Sequence, residues 1–122
     1  MPRVTADALA YYLPDKSQPD VKRYLYGYTV RLTNNSELPV TLLTRRWQLI
    51  DEVGRIQEMQ GKGVMGEQPI VQPGRTYTYS STCTLATPTG QLAGGFELSD
   101  GLETFEVEVE PLALTQPDRL LN

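Results

Sequence analysis

The sequence predicts an all-β fold. Segments in which apolar and polar residues alternate with a period of two recur along the 122-residue chain, as in half-buried strands. Clusters of glycine, proline, asparagine and aspartate separate these segments, and no window shows the i, i+3, i+4 apolar spacing of an amphipathic helix. Short strands at this spacing predict an immunoglobulin-like or fibronectin type III-like β-sandwich of about seven or eight antiparallel strands. We assign residues 4–115 to one domain and residues 116–122 to a C-terminal tail.

The N-terminal half contains the clearest strand. A first strand is expected at Val4–Leu13, on an edge and ending at Pro14, before a loop rich in proline and polar residues. In Arg23–Thr33 the alternation places five side chains on one face: Tyr24, Tyr26, Tyr28, Val30 and Leu32. The turn residues Asn34, Asn35 and Ser36 follow. Alternation in the next strand, Val40–Ile50, places another five on one face: Thr41, Leu43, Arg45, Trp47 and Leu49.

The C-terminal half alternates strands with turns in the same way. A hairpin turn at Asp51–Gly54 leads into Arg55–Gln60, and Gly61–Gly74 is expected to be a long irregular loop. Strands are then predicted at Thr76–Thr84, Gln91–Leu98 and Glu103–Glu110. In the last of these, Phe105, Val107 and Val109 face inward and Glu106, Glu108 and Glu110 face solvent. Pro111 is expected to end the strand, since proline lacks the N–H that a ladder needs.

Composition argues against several classes of function. Fifteen acidic residues outnumber 11 basic ones, giving a net charge of −4, whereas nucleic-acid binders present basic surfaces. No apolar run approaches a membrane span, and the N-terminus lacks the apolar stretch of a signal peptide. The single cysteine, Cys83, allows no intrachain disulfide. We therefore expect a cytoplasmic protein that binds neither nucleic acid nor membranes. We also expect a monomer or a weak homodimer.

The sequence offers no catalytic set. It contains no histidine, which removes the commonest general base and the commonest transition-metal ligand. Cys83 has no such partner and lies in a predicted strand, so it is interpreted as a small packed side chain. The row Glu106, Glu108 and Glu110 spreads along a strand and does not converge as a calcium site requires. We predict that the protein is not an enzyme and holds neither a metal nor a cofactor.

The candidate site lies in the stretch from Arg45 to Gly74. Gly61, Gly63 and Gly66 match the dinucleotide-binding pattern by letter, but no helix and no suitably placed acidic residue follow them. Two interpretations stay open. The glycine backbone could form an anion-binding nest, with Lys62, Arg45 and Arg46 adding charge, or it could be a tight loop that packs on Trp47. Trp47 itself is expected in the core of the sandwich.

A family resemblance adds to this interpretation. The chain reads LLTRRW at residues 42–47, GKGVMGEQP at 61–69, then PG at 73–74, YSS at 79–81 and TPTG at 87–90, followed by a glycine-rich strand. The same set of motifs includes Ser17-Gln18-Pro19 and Pro111–Leu114. In these motifs the sequence resembles the ApaG family over nearly its whole length. One position departs from the family pattern, which usually reads R-H-W: Arg46 takes the place of the histidine, so a ligand or proton-transfer role of that histidine cannot be carried over.

The resemblance implies a fibronectin type III-like sandwich in a cytoplasmic bacterial protein of undefined activity. It also implies an association with cobalt resistance and magnesium efflux, protein-interaction roles for related domains of F-box and polymerase-delta-interacting proteins, and a pyrophosphate or nucleotide site at Gly61, Gly63 and Gly66. Our leading hypothesis is a binding module that recognises a protein partner through an exposed sheet face or the 61–74 loop, with Glu67, Gln68 and Pro69 on the contact surface. The alternative is a phosphate-containing small molecule bound by the glycine loop with Lys62, Arg45 and Arg46.

Overall fold

The structure, a computed structural model, describes residues 3–117 as a β-sandwich of eight strands. The strands are β1 (Val4–Tyr12), β2 (Tyr24–Asn34), β3 (Val40–Asp51), β4 (Ile56–Lys62), β5 (Ile70–Val71), β6 (Thr76–Leu85), β7 (Gly90–Ser99) and β8 (Thr104–Leu114). One sheet has the order β1-β2-β6 and the other the order β4-β3-β7-β8, with the short β5 pairing with β3. All of these pairings are antiparallel. The predicted fold class is confirmed.

Helical structure in the described part of the chain is confined to short 3₁₀ turns. Pro14–Lys16 and Pro19–Val21 form such turns in the proline-rich loop, because proline sets the required φ at the start of a turn. No helix within residues 3–117 has the length and apolar character needed to cross a bilayer. The predicted tail, 116–122, lies partly outside the described residues. Within them, the Gln116 side-chain amide donates a hydrogen bond to the carbonyl of Pro88 at 3.1 Å.

The aromatic row of β2 lies between the two sheets, as its alternation predicts. Tyr26 and Tyr28 are buried and Tyr24 is half-buried at the rim. Trp47 from the opposite sheet is 2% exposed, and its ring packs edge-on against Tyr28 and Phe96 with centroids 5.4 and 5.8 Å apart. Edge-to-face contacts at this distance add to the free energy of burying the rings. The predicted core position of Trp47 is confirmed.

The predicted inner face of β3 is wrong in its first part. The pairing with β7 shifts between Leu42 and Thr44, so Leu43 is an extra residue without a partner on β7. Such a bulge reverses which side chains point inward. Val40 and Leu42 are therefore buried before the bulge, in place of the predicted Thr41 and Leu43, and Trp47 and Leu49 are buried after it.

Pro111 does not end the last strand, contrary to our prediction. β8 continues to Leu114, and its pairing with β7 shifts between Leu92 and Gly94. Two residues of β8, Glu110 and Pro111, oppose one of β7 at this point. A proline is tolerated there because β8 is at the edge of its sheet and the bulge removes the need for a ladder hydrogen bond.

The two lateral sides of the sandwich differ. On one side β1 packs against β8, and the Arg3 guanidinium lies 4.6 Å from the centroid of the Phe105 ring and 3.5 Å from a carboxylate oxygen of Asp100. On the other side lie β4 and β6, which are edge strands of the two sheets. A groove of about 230 Å³, lined partly by Ile56 and Thr84, lies between their ends. One side of the sandwich is thus covered by strand packing, and the other presents strand edges.

Candidate functional site

The glycine run forms a tight hairpin turn, so the expected irregular loop is more regular than predicted. β4 extends through Gly61 to Lys62. The Val64 N–H donates to the Glu67 carbonyl at 2.7 Å, and the Glu67 N–H donates back to Val64 at 3.0 Å. Between them Met65 and Gly66 have φ values of 52° and 81°. Positive φ at both central residues defines a type I′ turn. We call residues 63–68 the hairpin turn.

The hairpin turn is fixed to β3 at Leu43. The Leu43 carbonyl accepts hydrogen bonds from the Gly63 N–H at 2.8 Å and from the Gln68 side-chain amide at 3.0 Å. Gly63 fits this place closely, because a Cβ added there would lie 1.8 Å from the Glu67 carbonyl oxygen. Val64 is 3% exposed and joins the core. The Leu43 carbonyl and a buried valine therefore hold the base of the turn.

A buried asparagine secures the chain on the far side of the turn. Asn34 is 0% exposed, and its side-chain amide donates to the carbonyls of Leu38 at 2.8 Å and Val71 at 2.9 Å. Its side-chain oxygen accepts a hydrogen bond from the Ser36 N–H at 2.9 Å. A buried amide is stabilising only when its donors and acceptor are paired in this way. Asn34 thereby ties the predicted 34–36 turn to β5.

Arg45 lies on the inner face with Trp47, as alternation predicts. Its guanidinium donates a hydrogen bond to the Gly63 carbonyl at 2.7 Å. It also lies against the backbone of Gly61, where an added Cβ would come within 2.6 Å of a guanidinium nitrogen. A residue larger than glycine at position 61 would therefore have to displace the Arg45 guanidinium. In this arrangement Arg45 supports the hairpin turn.

Arg46 points to the opposite face, as predicted. Its guanidinium lies 2.6 Å from a carboxylate oxygen of Glu108 and 3.0 Å from one of Glu106, both on β8. It reaches them across Gly95 of β7, the residue with which Arg46 pairs. The hydrogen bond with Glu108 is the main factor that raises the pKa of Arg46. The predicted solvent-facing glutamate row thus holds an arginine, in exposed ion pairs that each contribute about 0–1 kcal/mol.

The structure brings only part of the predicted anion-binding set together. Gly61, Gly63 and Arg45 are in contact, whereas Arg46 lies on the other face of the sheet. The N–H groups of Gly63, Val64 and Glu67 already donate to carbonyls, so they are not directed at a common anion. A shallow groove of about 440 Å³ beside Arg46 is also lined by Glu97 and Glu106, whose charges oppose an anion. Anion binding stays a prediction, and these contacts give it little support.

The predicted partner surface is exposed, and two apolar residues that sequence reasoning missed flank it. Glu67 and Gln68 are exposed and Pro69 is half-buried. On either side of them Met65 is 76% exposed and Ile70 61%. The signal that could have identified Met65 is its position before Gly66, at a turn position where asparagine, aspartate or glycine is the usual residue.

The remaining chemistry-bearing groups are buried or dispersed. Cys83 is 6% exposed, and burial raises the pKa of its thiol to about 11, which confirms the predicted packed side chain. Within residues 3–117 no three cysteine, aspartate or glutamate side chains are arranged to hold a metal ion. At the Asp51–Gly54 turn, burial alone would raise the pKa of Asp51, but hydrogen bonds from Arg55 and Val53 outweigh it and lower the pKa. These groups stabilise the fold.

Comparison with known proteins agrees with this architecture. The family model for the ApaG domain matches residues 14–100. The chain belongs to the ApaG family. It is 47% identical over 116 residues to Protein ApaG of Sinorhizobium fredii, covering 92% of this chain and 88% of that one. It is 43% identical over 122 residues to Protein ApaG of Agrobacterium fabrum, covering 98% of this chain and 92% of that one.

A solved structure of a similar protein has the same fold. The crystal structure of a Bordetella pertussis protein that carries the name ApaA superposes with a TM-score of 0.89 at 36% identity. The superposition covers 93% of this chain and 94% of that one. The resemblance in the sequence motifs is confirmed, and with it the membership of the family.

Proposed function

We propose that this member of the ApaG family is a non-catalytic protein-binding module that contacts its partner through the hairpin turn and Ile70. The observation that carries the proposal is Met65, which has a φ of 52° and is 76% exposed. A left-handed backbone costs an L-residue with a bulky side chain about 1–2 kcal/mol. Met65 gains little from burial in return, so its side chain contributes little to folding. Strain of this kind is concentrated at ligand-binding and switch positions.

The surroundings of Met65 support a contact surface. The Arg45 hydrogen bond to Gly63 and buried Val64 restrain the base of the turn, which lowers the ordering entropy that binding would cost. Exposed Ile70 adds a second apolar residue, with Glu67 between the two in sequence. Methionine adapts to irregular apolar surfaces and is frequent at protein-binding sites. Apolar residues beside a polar rim are the usual composition of an interface.

The absence of catalysis is part of the proposal. At neutral pH the Cys83 thiol stays protonated, because burial raises its pKa to about 11, and a protonated thiol is a poor nucleophile. The cationic groups Arg45 and Arg46 are engaged by a carbonyl and by carboxylates. The role in cobalt or magnesium homeostasis that the family resemblance implies would then be indirect, exerted through the protein partner in the cytoplasm.

Site-specific photo-crosslinking in bacterial cells tests the proposal. A photoreactive amino acid is placed at residue 65 or 70, and at residue 53 as a control, since Val53 is a similarly exposed apolar residue (70%) at the opposite end of β3. The expected result is a discrete adduct from positions 65 and 70 that is absent from position 53. Met65→Asn should weaken the adduct formed from position 70. Equal labelling at all three positions, or none at 65 and 70, would contradict the proposal.

A further inference from the structure

β6 differs from the other strands in having no feature that protects a sheet edge. Proteins guard edge strands with charges, prolines, bulges or a covering element. β4 carries Glu58 and Lys62, β8 carries glutamates and a bulge at Pro111, and β1 packs against β8. β6 reads TYTYSSTCTL, with no charge, proline or glycine, and pairs with β2 without a register shift. In the part of the chain that the structure describes, it is the edge most open to another strand.

The register shows which backbone groups of β6 point away from the sheet. Asn34 at the end of β2 bonds toward the β6 side, since its N–H donates to Arg75 and its carbonyl accepts from Gly74. In an antiparallel ladder, bonding direction alternates residue by residue. The even-numbered residues of β2 therefore bond to β6, and their β6 partners are odd-numbered, Tyr77 to Leu85. The even-numbered residues of β6 direct their N–H and C=O groups outward.

These outward-directed residues are uniform in chemistry. They are all exposed and all carry hydroxyls: Thr76, Thr78, Ser80, Thr82 and Thr84. Two of them already form hydroxyl pairs with β2, Ser80 with Thr29 at 2.8 Å and Thr76 with Thr33 at 2.9 Å. Hydroxyl residues on neighbouring strands are compatible cross-strand pairs. The row carries no charge that would select a foreign sequence of opposite charge.

We propose that β6 pairs with β6 of a second copy of this chain, antiparallel and centred on Ser80. In that register Thr78 faces Thr82 of the second copy and Thr76 faces Thr84. The outward-directed N–H and C=O groups of the two strands then form about ten hydrogen bonds in total. Arg75 then lies opposite Leu85, so no like charges meet. The pairing joins two three-stranded sheets into one continuous sheet. Both β6 edges are then paired, and β1 is covered by β8. The assembly is therefore a closed two-fold dimer.

The dimer interface is distinct from the hairpin turn, and the inference does not depend on the proposed function. Its register gives a direct test. T78K/T82K places lysine opposite lysine twice across the two-fold axis, whereas T78K/T82E places lysine opposite glutamate twice. Within one chain the two positions are four residues apart on an extended strand, about 13 Å, so neither variant creates a close pair in the monomer. Leu9→Lys, on the outer face of β1, is a control for the addition of positive charge.

Sedimentation velocity over a concentration series measures the dimer, at low ionic strength. The unaltered protein and Leu9→Lys should dimerise, T78K/T82K should weaken dimerisation about tenfold or more, and T78K/T82E should recover or exceed the original affinity. Circular dichroism checks that every variant stays folded. Hydrogen exchange at the Thr78 and Thr82 amides should slow as concentration rises. A monomer at all concentrations, equal weakening by both double variants, or open-ended polymers would overturn the proposal.

Discussion

Met65→Asn should stabilise the protein while weakening partner binding. Asparagine tolerates the left-handed backbone and, before Gly66, makes the preferred type I′ turn sequence. The substitution should recover part of the 1–2 kcal/mol that this conformation costs a bulky residue, about 1 kcal/mol. Because 76% of Met65 is exposed, the loss of apolar contact subtracts on the order of 0.5 kcal/mol at most. The net gain in unfolding free energy should be about 0.5–1 kcal/mol, or a few degrees in Tm.

Urea unfolding followed by tryptophan fluorescence measures this gain, since the single Trp47 is 2% exposed and its emission should shift on unfolding. The midpoint should rise with the slope unchanged, as for a pure change in stability. Lys22→Asn is the matched control, because Lys22 is exposed and has a φ of 57°. It should stabilise the fold by a similar amount without affecting the photo-crosslinked adduct. If Lys22→Asn stabilises and Met65→Asn does not, the strain argument for Met65 is refuted.

Three further predictions follow from the contacts. Gly94→Ala should cost about 3 kcal/mol or more, because its Cβ would lie 2.0 Å from the Arg46 carbonyl oxygen. Gly61→Ala should cost about 1 kcal/mol or less, because the three atoms nearest to its Cβ belong to the movable guanidinium of Arg45. Equal losses in urea unfolding would contradict this. Burial raises the Cys83 pKa from 9.0 to about 11. The contribution of this thiol to the free energy of unfolding is therefore complete below pH 9 and is lost as the pH rises through 11. At pH 8 its thiolate fraction should be about 100-fold lower than in the unfolded chain; alkylation at the same rate in native and urea-unfolded protein would refute the burial. Calorimetric titration with millimolar pyrophosphate should give no saturable heat, and heat that Arg46→Ala abolishes would instead support the anion site.

The parts of the fold that follow from local alternation could be predicted from the sequence. From Tyr24 to Leu32, β2 is apolar on one face and mixed on the other, and no bulge interrupts its pairing with β1 or β6. The burial of Tyr26 and Tyr28 therefore follows from period two alone. The same reasoning predicts that Arg45 and Arg46 lie on opposite faces. This holds because no bulge interrupts the alternation between Arg45 and Trp47.

Bulges are what the sequence could not show. Leu43 is an ordinary strand residue by composition, and the extra position becomes visible only when β3 is paired with β7. Once paired, alternation before Leu43 is reversed, which moves Val40 and Leu42 into the core. The continuation of β8 beyond Pro111 has a related reason. A proline ends a central strand but is tolerated at an edge bulge, and the position of β8 at the edge is a property of the topology.

Leu43, the residue at the β3 bulge, also anchors the hairpin turn. The Leu43 carbonyl accepts from Gly63 and Gln68 on the β4 side of β3, one residue beyond the Thr44–Lys62 pair that ends the β3–β4 ladder. Together with the Arg45 hydrogen bond to Gly63, these contacts hold the base of the turn and leave Met65 at its tip. A turn selected for stability alone would carry asparagine there. These contacts restrain the base of the turn, and the strained backbone lies at its tip. This distribution is expected when the exposed side chain is retained for a contact outside the chain.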